Sequence, residues 1–237
     1  MNTIKIGAKK RARHIYIEFY TFKIINLDKK RRSRYIDVEG SGAEMELYTG
    51  IPNERGGLTP QEAWELLQEF GVPPHVIEHS KRVAEVACFL TYELRKVGCA
   101  LDLSLIEAGA ILHDVAKAHS LESGEDHAGL GGEWLRERGL YKVADIVRYH
   151  VHLPDEAMKI SEVAVVNYAD KRVMETKVVS LRARFEDIIQ RYGVDGSRSD
   201  RLNFLYEKIK KLEQILFAPL PFGPEELLEN MVRDRAM

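Results

Sequence analysis

The stretch Ala110-Ile111-Leu112-His113-Asp114-Val115-Ala116-Lys117 decides how this chain is interpreted. Its apolar positions are those of a buried helix, and a histidine and an aspartate stand side by side within it. Burying two such polar side chains costs free energy unless they find partners. Because consecutive residues of a helix point about 100° apart, a cation lying on that flank could bind one side chain of each. The pair is therefore a candidate metal site, supported by other histidines and aspartates in the chain.

The segments around this stretch are predicted to be helical. Thr59-Pro60-Gln61-Glu62 has the form of a capping box, and Gly71 is a stop signal. The following segment, 74–98, has apolar residues at three- and four-residue steps and carries His79. The other predictions are a helix after Asp102 that includes His113-Asp114, a polar loop over 119–126, helices over 127–139, 140–150, 161–170, 181–192 and 202–217, and a short terminal helix after Pro224. Beyond residue 58 the sequence predicts an all-α protein.

Side chains that can bind a metal fall on three of these predicted helices: His79, His113, Asp114 and Asp170. A helical bundle can bring such side chains to one interior point. Two histidines and two carboxylates suit Fe, Mn, Co, Ni or Zn better than Ca or Mg. The sequence therefore predicts a site for one or two divalent ions, with Mg²⁺ kept as a further candidate.

This order of ligands, His, then His-Asp, then Asp, resembles the HD-domain superfamily of metal-dependent phosphohydrolases over about residues 75–175. His79-Ser80-Lys81-Arg82-Val83-Ala84 is similar to the first-histidine helix of that family. Residues 109–117 are similar to its central motif, and Tyr168-Ala169-Asp170-Lys171 to its last ligand. The resemblance implies an HD helical bundle and a hydrolase of nucleotide phosphate esters or anhydrides. Its divalent ions would lower the pKa of a bound water and supply hydroxide near neutral pH.

A subset of that superfamily binds two metal ions through two additional histidines. His127, followed by Gly131, and His150, at the end of residues 145–150, match those positions, with His152 as the alternative to His150. The pattern is closest to the HD proteins that hydrolyse diadenosine tetraphosphate. The Gly-Tyr-Pro signature of cyclic-dinucleotide phosphodiesterases does not follow His150, which counts against that substrate class. The resemblance thus implies a second ion held by His127 and His150, with Asp114 as the bridge between the two ions.

Two cations accompany these ligands. Lys117, one turn after Asp114, is predicted to offer a positive charge to a substrate phosphate. Arg82, one turn after His79, is predicted to do the same or to orient a carboxylate ligand. The alternatives are a satisfied buried pair at His113-Asp114, a surface position for His127 and a solvated charge at Lys117. At the level of function, the alternative is a catalytically silent HD module that binds a nucleotide and regulates a partner.

Residues 1–58 are predicted to be an N-terminal extension, separate from the HD phosphohydrolase domain of residues 59–237. Residues 1–44 hold 11 Lys/Arg and 5 Asp/Glu, whereas the whole chain has a formal charge of −2. Residues 15–22 and 35–38 have the composition of short β-strands, and two strands alone are marginal in water. The extension is interpreted as β or disordered, as an addition upstream of a native start at Met45, or as a nucleic-acid-binding arm.

The composition restricts the cellular setting. The chain is 45% hydrophobic and 30% charged, and it has no run of the roughly 20 apolar residues that a membrane span needs. Cys88 and Cys99 do not form a C-x-x-C pair, and the N-terminus does not have a secretory pattern. The prediction is a cytoplasmic protein that acts on a small phosphorylated molecule and does not bind a membrane. Nucleic acid is the less favoured alternative partner. An apolar stripe in 181–192 would cover the core or form a lid or a homodimer surface.

Overall fold

The computed structural model describes residues 58–193 and 196–235. The hypotheses about the N-terminal extension, including the strands and the start at Met45, lie outside the described residues. Within the described residues the chain is a bundle of α-helices with one small β-hairpin, so the all-α prediction is confirmed. None of the helices in this part of the chain has the length and apolar character of a membrane span.

The helices follow one another as α1 (Pro60–Glu69), α2 (Pro74–Lys96), α3 (Leu103–Leu112), α4 (Lys117–Ser123), α5 (His127–Glu137), α6 (Tyr141–Tyr149), α7 (Glu162–Lys171), α8 (Leu181–Tyr192), α9 (Gly196–Phe217) and α10 (Leu227–Arg235). Short 3₁₀ turns span Asp155–Ala157 and Pro224–Glu226. Strands β1 (Val173–Met174) and β2 (Lys177–Val178) form an antiparallel hairpin between α7 and α8, in which Val173 pairs with Val178.

Local sequence signals fix many of the helix ends. The Thr59 hydroxyl accepts the Glu62 backbone N–H at 3.2 Å, and the Glu62 carboxylate accepts the Thr59 N–H at 2.8 Å, so the predicted capping box is confirmed. The side chains of Asp102 and Ser161 cap α3 and α7 by accepting the backbone N–H of Leu105 and Ala164. Gly139 follows α5 with a φ of 77°, a conformation that glycine adopts without steric cost.

Helix α3 lies at the centre of the core. It packs against α1, α2, α6 and α7, and most of its residues are buried. Gly109 permits the close approach of α6, because a Cβ at this position would lie 2.6 Å from Ile146 Cγ2. The position of α3 matters for function, since its C-terminal end carries His113 and Asp114 into the centre of the bundle.

Several predicted boundaries differ from the structure. Helix α3 ends at Leu112, so the His113-Asp114 pair lies in a tight turn after the helix, closed by a bond from Val115 N to Leu112 O at 2.9 Å. The predicted loop over 119–126 is largely helix α4, which has no buried residue and therefore no hydrophobic period to reveal it. The hairpin of β1 and β2 was not predicted, because two-residue strands are too short to give an alternating pattern.

Candidate metal site

The predicted ligands come from five separate places in the fold and meet at one point. His79 lies on α2, His113 and Asp114 in the turn after α3, and His127 at the first position of α5. The remaining two are His150, immediately after α6, and Asp170, near the end of α7. His127 keeps 24% of its side chain exposed, whereas the others are buried.

The carboxylate of Asp114 lies between two pairs of histidines. Its Oδ2 is 3.4 Å from His113 Nε2 and 4.0 Å from His79 Nε2. Its Oδ1 is 3.2 Å from His127 Nε2 and 3.5 Å from His150 Nε2. Each carboxylate oxygen thus faces its own pair of imidazoles, which is the arrangement expected of a carboxylate that bridges two ions.

Asp170 completes the first of these groups. Its Oδ1 lies 3.2 Å from His79 Nε2 and 3.7 Å from His113 Nε2. Its Oδ2 accepts a hydrogen bond from Lys171 Nζ at 2.7 Å, and the same Nζ donates to the carbonyl of His150 at 2.8 Å. Lys171 therefore fixes the carboxylate with Oδ1 directed at the histidines.

Backbone carbonyls orient three of the imidazole rings. Nδ1 lies 2.8 Å from Glu175 O in His79, 2.7 Å from Ala110 O in His113, and 2.6 Å from Val147 O in His150. Because a carbonyl oxygen only accepts, each Nδ1 carries a proton. A ring whose proton is on Nδ1 presents the lone pair of Nε2 to the centre of the cluster, as in metal sites whose histidines are held by outer hydrogen bonds.

The polar atoms at this centre fit a divalent cation. Within the described residues, His113 Nε2 and Asp114 Oδ1 are buried and have no hydrogen-bond partner. Such atoms are costly unless something satisfies them. Two buried sets have their ligand atoms all within 4.8 Å of one another: His79, His113 and Asp170, and His113, Asp114 and His150. Imidazole and carboxylate donors in these numbers suit a first-row transition ion.

The electrostatics keep three of the ligands, Asp114, Asp170 and His150, in states that can bind metal. Burial raises the pKa of the Asp114 carboxyl, but its interaction with His113 and its contacts with the imidazoles of His127 and His150 lower that pKa more, to well below its usual range. Burial likewise raises the pKa of Asp170, and the charge of Lys171 holds it well below its usual range. Burial lowers the pKa of His150 to about 4. At neutral pH both carboxyls are therefore ionised and His150 is neutral.

The two predicted cations have different surroundings. Lys117 Nζ lies 2.6 Å from Asp114 Oδ2, and 40% of its side chain is exposed, so it stands at the edge of the site. Arg82 donates from Nε to the carbonyl of Thr176 at 2.9 Å and pairs through Nη1 with Glu85 at 2.6 Å. Its contacts hold the hairpin turn next to Glu175 rather than a ligand carboxylate. We therefore interpret Arg82 as a residue that supports the carbonyl of Glu175.

The structure also separates the histidines that the sequence left open. His150 lies in the cluster, whereas His152 is exposed. Sequence reasoning missed the roles of two buried residues. One is Lys171 at the Asp170 carboxylate, and the other is Asn167, which donates to the carbonyls of Tyr149 and His150 at 2.9 Å. Both sit on the same helix as Asp170, yet no pattern in the sequence shows that they reach back to the end of α6.

The comparison with protein families covers the elements that carry this cluster. The HD domain family matches residues 76–175, which run from α2 to the hairpin and contain every predicted ligand. Residues 76–175 are an HD domain. The resemblance of the His, His-Asp and Asp pattern to this superfamily is thus confirmed. The narrower similarity to HD proteins that hydrolyse diadenosine tetraphosphate stays a prediction.

Three curated proteins are similar to this chain over more than half of its length. A tRNA (cytidine(56)-2'-O)-methyltransferase of Thermoplasma volcanium is 30% identical over 173 residues, which are 70% of this chain and 47% of that protein. Ribonuclease Y of Aquifex aeolicus is 29% identical over 172 residues, 65% of this chain and 30% of that protein. An uncharacterized protein of Methanocaldococcus jannaschii is 27% identical over 153 residues, 58% of this chain and 89% of that protein.

These lengths limit what the relatives say about the chain. It spans about half of the methyltransferase, 47%, and 30% of ribonuclease Y. The activities that those names describe therefore belong to longer proteins. No solved structure matches the chain at a significant level.

Proposed function

We propose that this protein is a metal-dependent phosphohydrolase that cleaves a phosphate ester or anhydride of a nucleotide. The observation that carries the proposal is the position of the Asp114 carboxylate between two histidine pairs. Its Oδ1 is buried without a hydrogen-bond partner among the described residues. A satisfied buried pair of His113 and Asp114 would not leave such an atom, or His113 Nε2, without a partner.

The residues divide between two ion positions in this proposal. His79, His113, Asp114 and Asp170 would hold one ion, and Asp114 would share its other oxygen with a second ion held by His127 and His150. Divalent ions bound there lower the pKa of water and neutralise charge that develops on the phosphate. HD domains bind divalent metals, and the choice among Fe, Mn, Co, Ni, Zn and Mg belongs to experiment.

The protein itself supplies orientation and charge. Lys171 and the backbone carbonyls hold the ligands in place, so little rearrangement is needed on binding. Lys117, being partly exposed, can turn from Asp114 Oδ2 to the phosphate of a substrate at the edge of the site. The small phosphorylated substrate and any homodimer are parts of this proposal rather than of the structure.

Hydrolysis of an RNA phosphodiester is a second candidate. Its support is that two of the relatives are named as RNA-directed enzymes, a tRNA methyltransferase and a ribonuclease. Each match covers 65% or more of this chain, so it overlaps the HD domain of residues 76–175. RNA therefore belongs in any panel of substrates beside nucleotides.

Elemental analysis of the full chain, purified without chelator or affinity metal, tests the proposal first. Hydrolysis of diadenosine tetraphosphate, nucleoside monophosphates and a short RNA is then measured with and without the retained ion. Asp114→Asn should lose metal and activity together. Retained metal with full activity in that variant contradicts the site, and a wild-type protein that takes up no metal on reconstitution favours the regulatory module.

A further inference from the structure

A cavity of about 290 Å³ lies apart from the metal site, mainly among the elements that follow the HD domain. It is lined by Arg172, the residue after α7, by the first turn of α8, by one face of α9 and by the 3₁₀ turn at Pro224–Glu226. No candidate metal ligand lines it. Its volume is at the lower end of the range for small-molecule sites, about 300–1,000 Å³, so the occupant that fits is a small ligand.

Arg172 is the buried cation in the wall of this cavity, with 3% of its surface exposed. Its Nε donates to the carbonyl of Val179 at 2.7 Å, its Nη2 to the carbonyl of Pro224 at 3.0 Å, and its Nη1 to the hydroxyl of Tyr168. Each terminal nitrogen carries a second N–H, and among the described residues neither of these has a hydrogen-bond acceptor. A guanidinium that is fixed in this way and still has N–H groups to donate can bind an anion without rearrangement.

The acidic side chains of the cavity do not cancel its positive charge. The lining contains three basic and two acidic side chains, so its net charge is +1. Glu213 accepts a hydrogen bond from the Tyr168 hydroxyl at 2.6 Å and lies 3.6 Å from Arg172 Nη1, which makes it the counter-ion of that arginine. Glu225 is exposed at the rim and is the remaining carboxylate.

The other two cations, Arg182 and Lys210, are exposed, so the cavity is open to a ligand from solvent. Arg182 pairs with Glu186, one turn further along α8, whose side chain is 64% exposed. Exposed pairs of this kind contribute little, so an anion in the cavity can compete for the arginine. Lys210 Nζ lies 5.9 Å from the centre of the Tyr206 ring and has no ion pair within the described part of the chain.

The first turn of α8 adds backbone donors to the same cavity. The Ser180 side chain caps this helix by accepting the N–H of Ala183 at 3.1 Å. The N–H groups of Leu181 and Arg182 precede it and have no acceptor inside the helix, as at the start of any helix. Such N–H groups and the helix dipole favour a negative charge at this end, where the cations Arg182 and Lys210 also lie.

We propose that this cavity binds a small phosphorylated molecule, with its phosphate group at the first turn of α8 between Arg182 and Lys210. A phosphate has three acceptor oxygens, enough for both side chains and the backbone N–H groups at once. The site is separate from the metal centre, and the proposal does not rest on the hydrolase function. Arg172 directly follows Asp170 and Lys171, so the ligand would bind at the end of α7 that carries a candidate metal ligand.

The test uses the full chain, both metal-loaded and after treatment with chelator, because metal ions would themselves bind phosphate. Titration calorimetry gives the Kd of inorganic phosphate and of adenosine monophosphate for the wild type, Arg182→Gln, Lys210→Gln and the double variant. Lys211→Gln is the matched control, since Lys211 is the next residue of α9, is exposed and does not line the cavity. The melting temperature of each variant shows that it is folded.

Each single substitution is expected to weaken phosphate binding about 10-fold in both forms of the protein, and the double substitution about 100-fold, because each removes one charge-assisted hydrogen bond. Lys211→Gln should bind as the wild type does. Tighter binding of adenosine monophosphate than of inorganic phosphate supports a nucleotide as the ligand, and equal binding supports recognition of the phosphate group alone.

Two results would overturn the proposal. One is a wild type whose Kd for both probes is weaker than about 10 mM, and the other is a folded double variant whose Kd stays within about twofold of the wild type. A chain that hydrolyses no substrate but loses phosphate binding in the double variant keeps this site and removes the hydrolase proposal. An active hydrolase whose phosphate binding is indifferent to both substitutions loses this site alone.

Discussion

Replacing His127 by alanine separates a one-ion from a two-ion site. The imidazole contacts Asp114 Oδ1 and His150 Nε2, each at 3.2 Å, and 24% of the side chain is exposed. Helix α5 does not depend on it, because the Asp126 side chain caps that helix. We therefore expect the free energy of unfolding of the metal-free protein to change by about 1 kcal/mol or less.

The effect on metal binding should be much larger. A structural Zn²⁺ held by four ligands contributes about 10–16 kcal/mol, or roughly 3 kcal/mol for each ligand. Loss of one ligand then weakens the affected ion about 100-fold. Only the ion near Asp114 Oδ1 should respond, because His127 is on the far side of the carboxylate from His79.

The assay is metal content after dialysis, followed by titration of the apoprotein with Mn²⁺ or Fe²⁺. The expected result is a loss of about one equivalent, with the tighter equivalent unchanged. His152→Ala is the matched control, since that histidine is exposed two residues after His150. If His127→Ala retains the stoichiometry and affinities of the wild type, the assignment of a second ion to this histidine is refuted.

Three other predictions concern the supports of the site. Lys171→Met removes the buried partner of Asp170 and should destabilise the fold by about 3 kcal/mol in a denaturant titration; an unchanged midpoint would contradict the orienting role. Gly109→Ala places a Cβ 2.6 Å from Ile146 Cγ2 and should lower the free energy of unfolding by about 1–3 kcal/mol in the same assay. An unchanged stability would show that α6 can move to accommodate the methyl group. Burial lowers the pKa of His79, but the hydrogen bond and charge of Asp170 and the charge of Asp114 together raise it above its usual value. Metal affinity should therefore fall as the pH drops through that raised pKa, and a Kd independent of pH between about 8 and 6 would argue against His79 as a ligand.

Matched controls exist for the two stability predictions. Lys142→Met removes an exposed lysine and should leave the denaturation midpoint unchanged. Gly196→Ala adds a Cβ with no atom within 4 Å, so it should be neutral or stabilising. A cost in either control equal to that of the test variant would mean that the loss is not specific to the site.

The sequence predicted the helices whose signals are local. The capping box at Thr59 is fulfilled within four residues, and α2 shows its apolar face through its own periodicity. Helix α4 and the hairpin at 173–178 escaped prediction for the opposite reason. Helix α4 has no buried face and each strand has only two residues, so neither shows a hydrophobic periodicity in the sequence.

The identities of the candidate ligands also follow from the sequence, because the order His79, His113-Asp114, Asp170 matched a family whose members share it. Sequence did not show that the two oxygens of Asp114 face different histidine pairs. That arrangement depends on where the turn after α3 leaves the helix, and the prediction of a continuous helix through His113 was wrong at this point. The packing of α3 against α6 and α7 sets the direction in which the Asp114 carboxylate points.

What the sequence by itself determined is which residue types stand at which helix ends, since caps, periods and motifs act over a few positions. Only the tertiary structure decided what orients them. The carbonyl that holds His79 belongs to Glu175, 96 residues away, and Lys171 reaches the carbonyl of His150 across 21 residues. Contacts across such separations arise from the packing of whole helices. Every residue has a backbone carbonyl, so the sequence does not show which carbonyl will orient a ligand.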